Sequence, residues 1–211
     1  EIIVVDDGST DRSKEIINKY SKNIKSIFKQ NTGVENSSNI GILRSKANYV
    51  VRIDADDFLK PEFVELTLET ILSSNKSFIY SNYDAVNDKS EILWQSCLPK
   101  FNKEEIFSRG DFLATGTVYK KRDLLDLGLY NEEYKNCGLE NFELVVSLLK
   151  NSNFGQLIDD NLFSYRIHSE NMSTSRRSDI ISYGRRLCRL KGIGDYSTNE
   201  HHPYKLILWK I

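Results

Sequence analysis

Three unbroken apolar runs lie in the first quarter of the chain, and each ends in acidic or polar residues. They are Ile2–Val5 before Asp6-Asp7, Ile24–Phe28 before Gln30-Asn31, and Tyr49–Ile53 before Asp54. Continuous rather than alternating hydrophobicity predicts strands covered on both faces, as in a parallel sheet. Between the runs, Ser13–Tyr20 places Ile16, Ile17 and Tyr20 at helical spacing behind the capping-type residues Ser9, Thr10 and Asp11. Asn39–Ala47 is a second, weaker helical segment. After Asp57 the pattern predicts a third helix, with Pro61 in its first turn and Phe63, Val64, Leu68, Ile71 and Leu72 as its apolar stripe. Ser77–Val86 returns to the strand pattern. Strand and helix alternating in this way predict right-handed crossovers in an α/β fold: a Rossmann-like, mostly parallel, doubly wound sheet with helices on both faces.

The second half is less regular. Leu139–Lys150 reads as a helix, and Gly155–Ile158 and Leu162–His168 as short strands. Past Ser175 the Arg-rich segment (Arg176, Arg177, Arg185, Arg186, Arg189) reads as a surface helix or tail. With no internal repeat and no low-complexity linker, the expectation is one domain over residues 1–175 and a helical C-terminal extension over 176–211. A chain of 211 residues is long enough for one such domain with a real core.

Charge narrows the partners. The 29 basic and 30 acidic side chains are interspersed and leave a net charge of -1, so no basic stripe marks a nucleic-acid-binding face. Cys97, Cys137 and Cys188 are odd in number and form no C-x-x-C pair. That argues against a zinc knuckle or a disulfide framework and fits a reducing compartment, with all three expected in the core. No apolar run approaches the ~20 residues of a membrane-spanning helix, and Leu206–Ile211 is expected to pack on the domain. The chain enters an apolar strand directly, with no initiator Met, which predicts that a segment preceding it has been lost.

In open α/β sheets ligands gather beyond the carboxyl ends of the strands. Asp6-Asp7-Gly8-Ser9-Thr10-Asp11 and Asp54-Ala55-Asp56-Asp57 both fall at such ends. Carboxylates crowded together repel one another unless a cation or hydrogen-bond donors compensate. Hard oxygen ligands on a short D-x-D turn suit Mg²⁺ or Mn²⁺, with water and substrate phosphates completing the shell. Either turn alone is also explained as a polar helix cap; two of them in one βαβαβ run are harder to explain so. A receiver-like phosphoacceptor domain would place paired acids after strand one and an Asp after strand three, which Asp6-Asp7 and Asp54 match. Asp56, Asp57 and Phe58 then stand where a receiver carries Met-Pro, and the chain is too long for one. A phosphatase D-x-D-x-T motif fails because position 58 is Phe.

A third pattern fits better. VVDDGSTD through Asp11, NTGVENSSNIG over 31–41, YVVRIDADD over 49–57 and Pro61 occur in the order and spacing of family 2 type glycosyltransferases of the GT-A fold. The chain resembles that family through GLENFEL (138–144) and YRIHSENMS (165–173), and so over residues 1 to about 175. The resemblance implies an inverting, metal-dependent enzyme of hexosyltransferase type. It would move a sugar from a nucleoside diphosphate sugar, usually UDP-linked, to a hydroxyl of a glycan or lipid-linked acceptor. The setting it implies is cytoplasmic, at the inner face of a bacterial membrane with peripheral contact to it, in surface polysaccharide or cell-envelope synthesis.

Residue by residue, the resemblance assigns Asp7 to the nucleotide base, with Gly8 and Ser9 shaping its turn. Asp54 and Asp56 match the D-x-D pair, Asp56 as direct ligand of Mn²⁺ or Mg²⁺ and Asp54 beside the ribose and the metal's waters. Asp57 is a supporting carboxylate or a helix cap. Gly33 and Asn39 match a loop and helix start beside the donor sugar. His168 stands where relatives place a residue closing over the diphosphate or metal. Thr115–Thr117 is expected to shape the acceptor side. Trp94, Tyr119, Tyr130 and Phe142 could stack on sugars, with core packing the better expectation for most.

Three departures bear on activity. The strand that precedes Ile2–Val5 in relatives is absent. The catalytic Glu-Asp pair reads Glu140-Asn141, and Asn has no titratable group to act as a base. Glu140 or Glu143 then takes the proton, or Asn141 only orients the acceptor; Glu140 is favoured. Finally, two positions that often carry Arg are Ser38 and Ser147. The rival from another class is a non-catalytic nucleotide-sugar-binding module.

Overall fold

The structure, a computed structural model, describes residues 1–103, 115–151, 154–193, 195–197 and 207–209. It divides into two compact units, Glu1–Val50 with Lys120–Asn136, and Val51–Tyr119 with Cys137–Ile211.

In the first unit β1 (Ile3–Asp6) and β2 (Lys25–Phe28) pair in parallel, Ile3 opposite Lys25 and Asp6 opposite Phe28. The helix α1 (Ser13–Lys19) is the crossover between them, as the alternating pattern requires. No residue of α1 is buried, and Ile16 and Tyr20 are exposed, so its apolar stripe is not a core face. Next come α2 (Val34–Arg44) and β3 (Tyr49–Val51). The helix α2 starts earlier than the hydrophobic spacing suggests, because Gly33 adopts φ 103 at its N-cap and turns the chain into it. Asn39 therefore lies in the middle of α2 rather than at its start.

The second unit contains β4 (Phe58–Leu59), α3 (Phe63–Ser73), β5 (Phe78–Val86), β6 (Ile92–Ser96) and β7 (Val118–Lys120). The short helix α4 (Lys121–Asp126) returns to the first unit. Then α5 (Glu140–Lys150), β8 (Gly155–Arg166), α6 (Met172–Ser175) and α7 (Arg177–Lys191) follow in the second. All nine residues of β5 are buried, the doubly covered strand that continuous hydrophobicity predicts. It pairs in parallel with β8 from Phe78–Gly155 to Val86–Arg166. A Cβ on Gly155 would lie 2.2 Å from the ring of Phe78, so this first rung admits only glycine.

The expectation of a mostly parallel sheet needs correcting. The strands run in the order β3-β7-β5-β8-β4, with β6 also on β5; β6 and β7 are antiparallel to β5, and β4 is antiparallel to β8. The β5–β6 connection is a tight turn closed by Asn87 and Glu91, and a connection that short joins only antiparallel strands. The expected pair of strands, Gly155–Ile158 and Leu162–His168, is one strand. Register shifts at Ser81/Asn82 and Asn82/Tyr83 absorb the polar residues that seemed to interrupt it.

The helices divide by burial. In α3, Phe63, Thr67 and Ile71 are buried while Val64, Leu68 and Leu72 are exposed, so only Phe63 and Ile71 of the expected stripe face the core. Eight of the eleven residues of α5 are buried, as befits a helix enclosed by its unit. The helix α7 buries Ile180, Gly184, Leu187 and Cys188 and ends at Gly192 in the left-handed conformation. Beyond it, β9 (Asp195–Ser197) and β10 (Ile207–Trp209) pair antiparallel, so the expected helical extension is a helix followed by a two-stranded ribbon. The packing expected of Leu206–Ile211 lies outside the described side chains.

Cys137 and Cys188 are buried, but Cys97 is exposed because it follows the solvent-facing strand β6. Tyr119, Tyr130 and Phe142 are core residues, whereas Trp94 is exposed. Among the described residues, no helix is long and apolar enough to cross a membrane.

Candidate active site

In the first unit, β1 delivers Asp6 and Asp7 to a turn. The Asp6 Oδ1 accepts the N–H of Ser9 at 2.8 Å. Gly8 has φ 81, and a Cβ there would lie 2.8 Å from the backbone nitrogen of Asn31. Glycine thus lets the turn close on the loop after β2. Asp7 reaches across that loop: Oδ1 accepts the N–H of Thr32 and Oδ2 that of Gly33, each at 2.8 Å, and the Lys29 ammonium pairs with the same carboxylate. Burial alone would raise the Asp7 carboxyl, but Lys29 and the two amide donors prevail and hold it below its ordinary value. Asp7 is therefore a fixed anion, and Ser9 beside it is exposed.

Gly33 is confined by its neighbours, since a Cβ would meet the Lys135 side chain at 2.6 Å. The amide of Asn39 is committed within the same unit. Its Nδ2 donates to the Tyr130 carbonyl at 2.9 Å and to Glu132 Oε1 at 2.7 Å, and its Oδ1 accepts the Tyr130 N–H at 2.9 Å. Asn39 is a buried clamp between α2 and the 130–132 segment.

In the second unit the D-x-D turn follows β3. The Asp54 N–H donates to Thr115 Oγ1 at 3.0 Å, and the Asp57 N–H closes the turn onto the Asp54 carbonyl at 3.1 Å. Arg166, at the end of β8, holds the turn from the other side. Its backbone N–H donates to Asp57 Oδ1 at 2.8 Å, and its Nε donates to the Asp56 carbonyl at 2.9 Å. Two residues on, His168 places Nε2 at 2.9 Å from Asp56 Oδ2. The His168 Nδ1 accepts the N–H of Glu170 at 3.2 Å, which turns Nε2 toward Asp56. Burial, and then the charges of Asp56 and Asp54, push the Asp57 carboxyl up to about 7 despite the Arg166 N–H. This turn holds more negative charge than its own donors neutralise.

The start of α5 brings in the third group. Glu140 is buried, and its Oε1 accepts Nη1 of Arg52 at 2.9 Å. Asn141 is buried beside it in the first turn. Glu143 faces α7: Tyr183 donates its hydroxyl to Oε2 at 2.6 Å, and Lys191 lies 3.4 Å from Oε1. The structure thus gathers Asp54, Asp56, Asp57, His168 and Glu140 around two arginines in one unit, and Asp7, Gly8, Ser9, Gly33 and Asn39 in the other. Sequence reasoning missed Lys29, Arg52 and Arg166. Arg52 carried a signal, because a charge inside an apolar strand run needs a carboxylate partner.

Residues 1–121 match the Glycosyl transferase family 2 profile. The chain belongs to that family. Among curated relatives, chondroitin synthase of Pasteurella multocida (strain Pm70) is 32% identical over 111 residues, covering 50% of this chain and 12% of that protein. The uncharacterized glycosyltransferase YibD of Escherichia coli (strain K12) is 25% identical over 225 residues, covering 99% of this chain and 65% of YibD. This chain therefore spans only part of the length of these relatives. Among solved structures, residues 1–349 of S. aureus TarS in complex with UDP-GlcNAc superpose with a TM-score of 0.73 at 19% identity, covering 92% of this chain and 58% of that one. The fold is that of a GT-A glycosyltransferase, and the activity class of the family is glycosyl transfer.

Proposed function

We propose that this family 2 chain is the catalytic part of an inverting glycosyltransferase. It takes a hexose from a nucleoside diphosphate sugar, UDP-linked, and passes it to a hydroxyl of a glycan or lipid-linked acceptor. The observation that carries this reading is the meeting of His168 and Asp56 at 2.9 Å on an acidic turn, two groups able to share a divalent ion. The ordered anion Asp7, flanked by the open Gly8-Ser9 turn, is assigned to the base, with Gly33 and Asn39 supporting the neighbouring loop.

Asp54, Asp56 and His168 would hold Mn²⁺ or Mg²⁺, with Asp57 as the supporting carboxylate. Burial, and then the charges of Asp56 and Asp54, raise Asp57, and a cation would offset that charge. Bound there, the ion would supply positive charge to the departing diphosphate. Glu140 is assigned as the base. One of its oxygens is tied to Arg52, while Oε2 is buried with no hydrogen-bond partner among the described residues, an acceptor suited to a substrate hydroxyl. Glu143 is occupied in joining α5 to α7, and Asn141 orients the acceptor. Removal of the hydroxyl proton by Glu140 accompanies in-line attack on the anomeric carbon, the C–O bond to the diphosphate breaks, and the configuration inverts.

Residues 1–175 form the transferase domain in this reading, and 176–211 its C-terminal extension, whose helix α7 is braced on α5 through Tyr183 and Lys191. The setting is the cytoplasmic side of the cell envelope, in polysaccharide synthesis with peripheral membrane contact; chondroitin synthase is a relative of matching kind.

Titration of UDP with Mn²⁺ by calorimetry, beside UDP release from a panel of UDP-sugars, tests the reading. Metal-dependent binding lost in Asp56→Ala, with release lost in Glu140→Gln, is the expected result. Asn141 favours a second reading, a non-catalytic nucleotide-sugar-binding module. Binding without release, indifferent to Glu140→Gln, would decide for it.

A further inference from the structure

We propose that Arg52 is a positioning residue that couples the donor-side carboxylate Asp54 to the acceptor-side carboxylate Glu140. This inference rests on the transferase reading above. The guanidinium meets both groups at once: Nη1 donates to Glu140 Oε1 at 2.9 Å, and Nη2 reaches Asp54 Oδ2 at 3.5 Å, with Nε in ion-pair range of Asp54 Oδ1 at 3.2 Å. The side chain is only 18% exposed, and that of Glu140 6%. A guanidinium directs its donors from one rigid plane, so two carboxylates held on it have their separation set by the cation. Arg52 and Glu140, 88 residues apart in the chain, are thereby joined.

The base of the side chain is fixed as well. Gly116 donates its N–H to the Arg52 carbonyl at 2.9 Å, and the Thr115 hydroxyl donates to the same oxygen at 3.1 Å. That hydroxyl also accepts the N–H of Asp54. The backbone of the Arg52–Asp54 stretch is thus pinned by one Thr-Gly turn, and the guanidinium reaches from it to Glu140. The contact uses Oε1 and leaves Oε2 for the acceptor. Arg52 touches neither substrate in this scheme; it keeps Glu140 aimed relative to the acid that orders the donor. An ammonium is a point charge without the planar fork, and it can satisfy one carboxylate or the other but not both in register.

The test uses the full chain with UDP-sugar and Mn²⁺, reading kcat, KM and thermal stability for Arg52→Lys, Arg52→Met and Arg52→Met/Glu140→Gln. Arg52→Lys is expected to keep KM within about threefold while kcat falls at least about thirtyfold, the signature of an interaction made in the transition state. Arg52→Met leaves Glu140 buried and uncompensated, so it should lose stability, which the double variant regains by removing the second charge. In the Glu140→Gln background, Arg52→Met should cost less than about threefold further in kcat, because both act through one carboxylate. Full kcat in Arg52→Lys, or multiplying effects of the two substitutions, would overturn the proposal. A wild type that cleaves a UDP-sugar while Arg52→Lys matches it overturns this inference alone. A wild type that neither binds nor cleaves UDP-sugars overturns the transferase reading with it.

Discussion

The imidazole Nε2 of His168 and the carboxylate Oδ2 of Asp56 lie 2.9 Å apart although 112 residues separate them in the chain. Arg166 produces the meeting. It ties the end of β8 to the D-x-D turn through the Asp57 carboxylate and the Asp56 carbonyl, and so delivers His168 two residues later. Removing the imidazole should weaken Mn²⁺-dependent UDP binding by about tenfold to a hundredfold, the usual cost of a lost ligand-sphere partner. Asp56→Ala should abolish it. Both side chains are partly exposed, so the melting temperature should stay close to wild type. Calorimetry with and without Mn²⁺ checks this, and unchanged affinity in both variants would remove the pair from the site.

The two glutamates at the start of α5 should separate cleanly. Glu140→Gln removes the proposed base and should lower UDP-sugar turnover at least about a hundredfold. Glu143→Gln should change turnover less than about threefold on the same scale, since Tyr183 and Lys191 hold Glu143 against α7. It should instead lower the melting temperature. Equal losses of turnover in the two variants would contradict the assignment.

Acid stability should report on Asp84. This carboxylate on β5 is buried, pairs with Lys60 at 2.6 Å and accepts from Asn161 and Gln95. Burial would raise it, but these partners prevail and hold it below its ordinary value. The folded chain therefore binds fewer protons than the unfolded one near pH 4. The stabilisation is full above the unfolded value of about 4 and is lost as pH falls through the lower folded value. Asp84→Asn should cost about 3 kcal/mol at pH 7, the low end for a broken buried pair because Lys60 keeps some contact with water. It should also flatten the acid limb of the stability profile, which denaturant titration across pH 2–6 would show. An unchanged limb would mean that other carboxylates dominate acid unfolding.

Gly155 should tolerate no side chain. A methyl group there would press on the fully buried ring of Phe78, so Gly155→Ala should cost about 1–3 kcal/mol, the range for overpacking. Pairing it with Phe78→Leu should recover part of the loss. Wild-type stability in the single variant would show that the first β5–β8 rung is looser than described.

The acidic turns, the crossover between β1 and β2, and the strand and helix ends near Asp7 and Glu140 were legible in local patterns, whereas Pro61 lies before the first turn of α3 rather than in it. Short-range chemistry decides them: apolar runs, turn glycines and acids at strand ends act over a few residues. The antiparallel course of β4, β6 and β7, the single long β8 and the half-exposed α3 were not legible. They depend on which elements meet, and neither period nor propensity encodes that.

The same division runs through the site. Sequence alone determined that two carboxylate turns and a glutamate at a helix start exist, and the family pattern with them. Only the tertiary structure decided which charges satisfy which: Lys29 with Asp7, Arg52 with Asp54 and Glu140, Arg166 with the D-x-D turn, and Glu143 away from them with Lys191. The reason is physical. A charge taken out of water must find its partner in space, and the partner's place in the chain is free to be anywhere the fold can bring it.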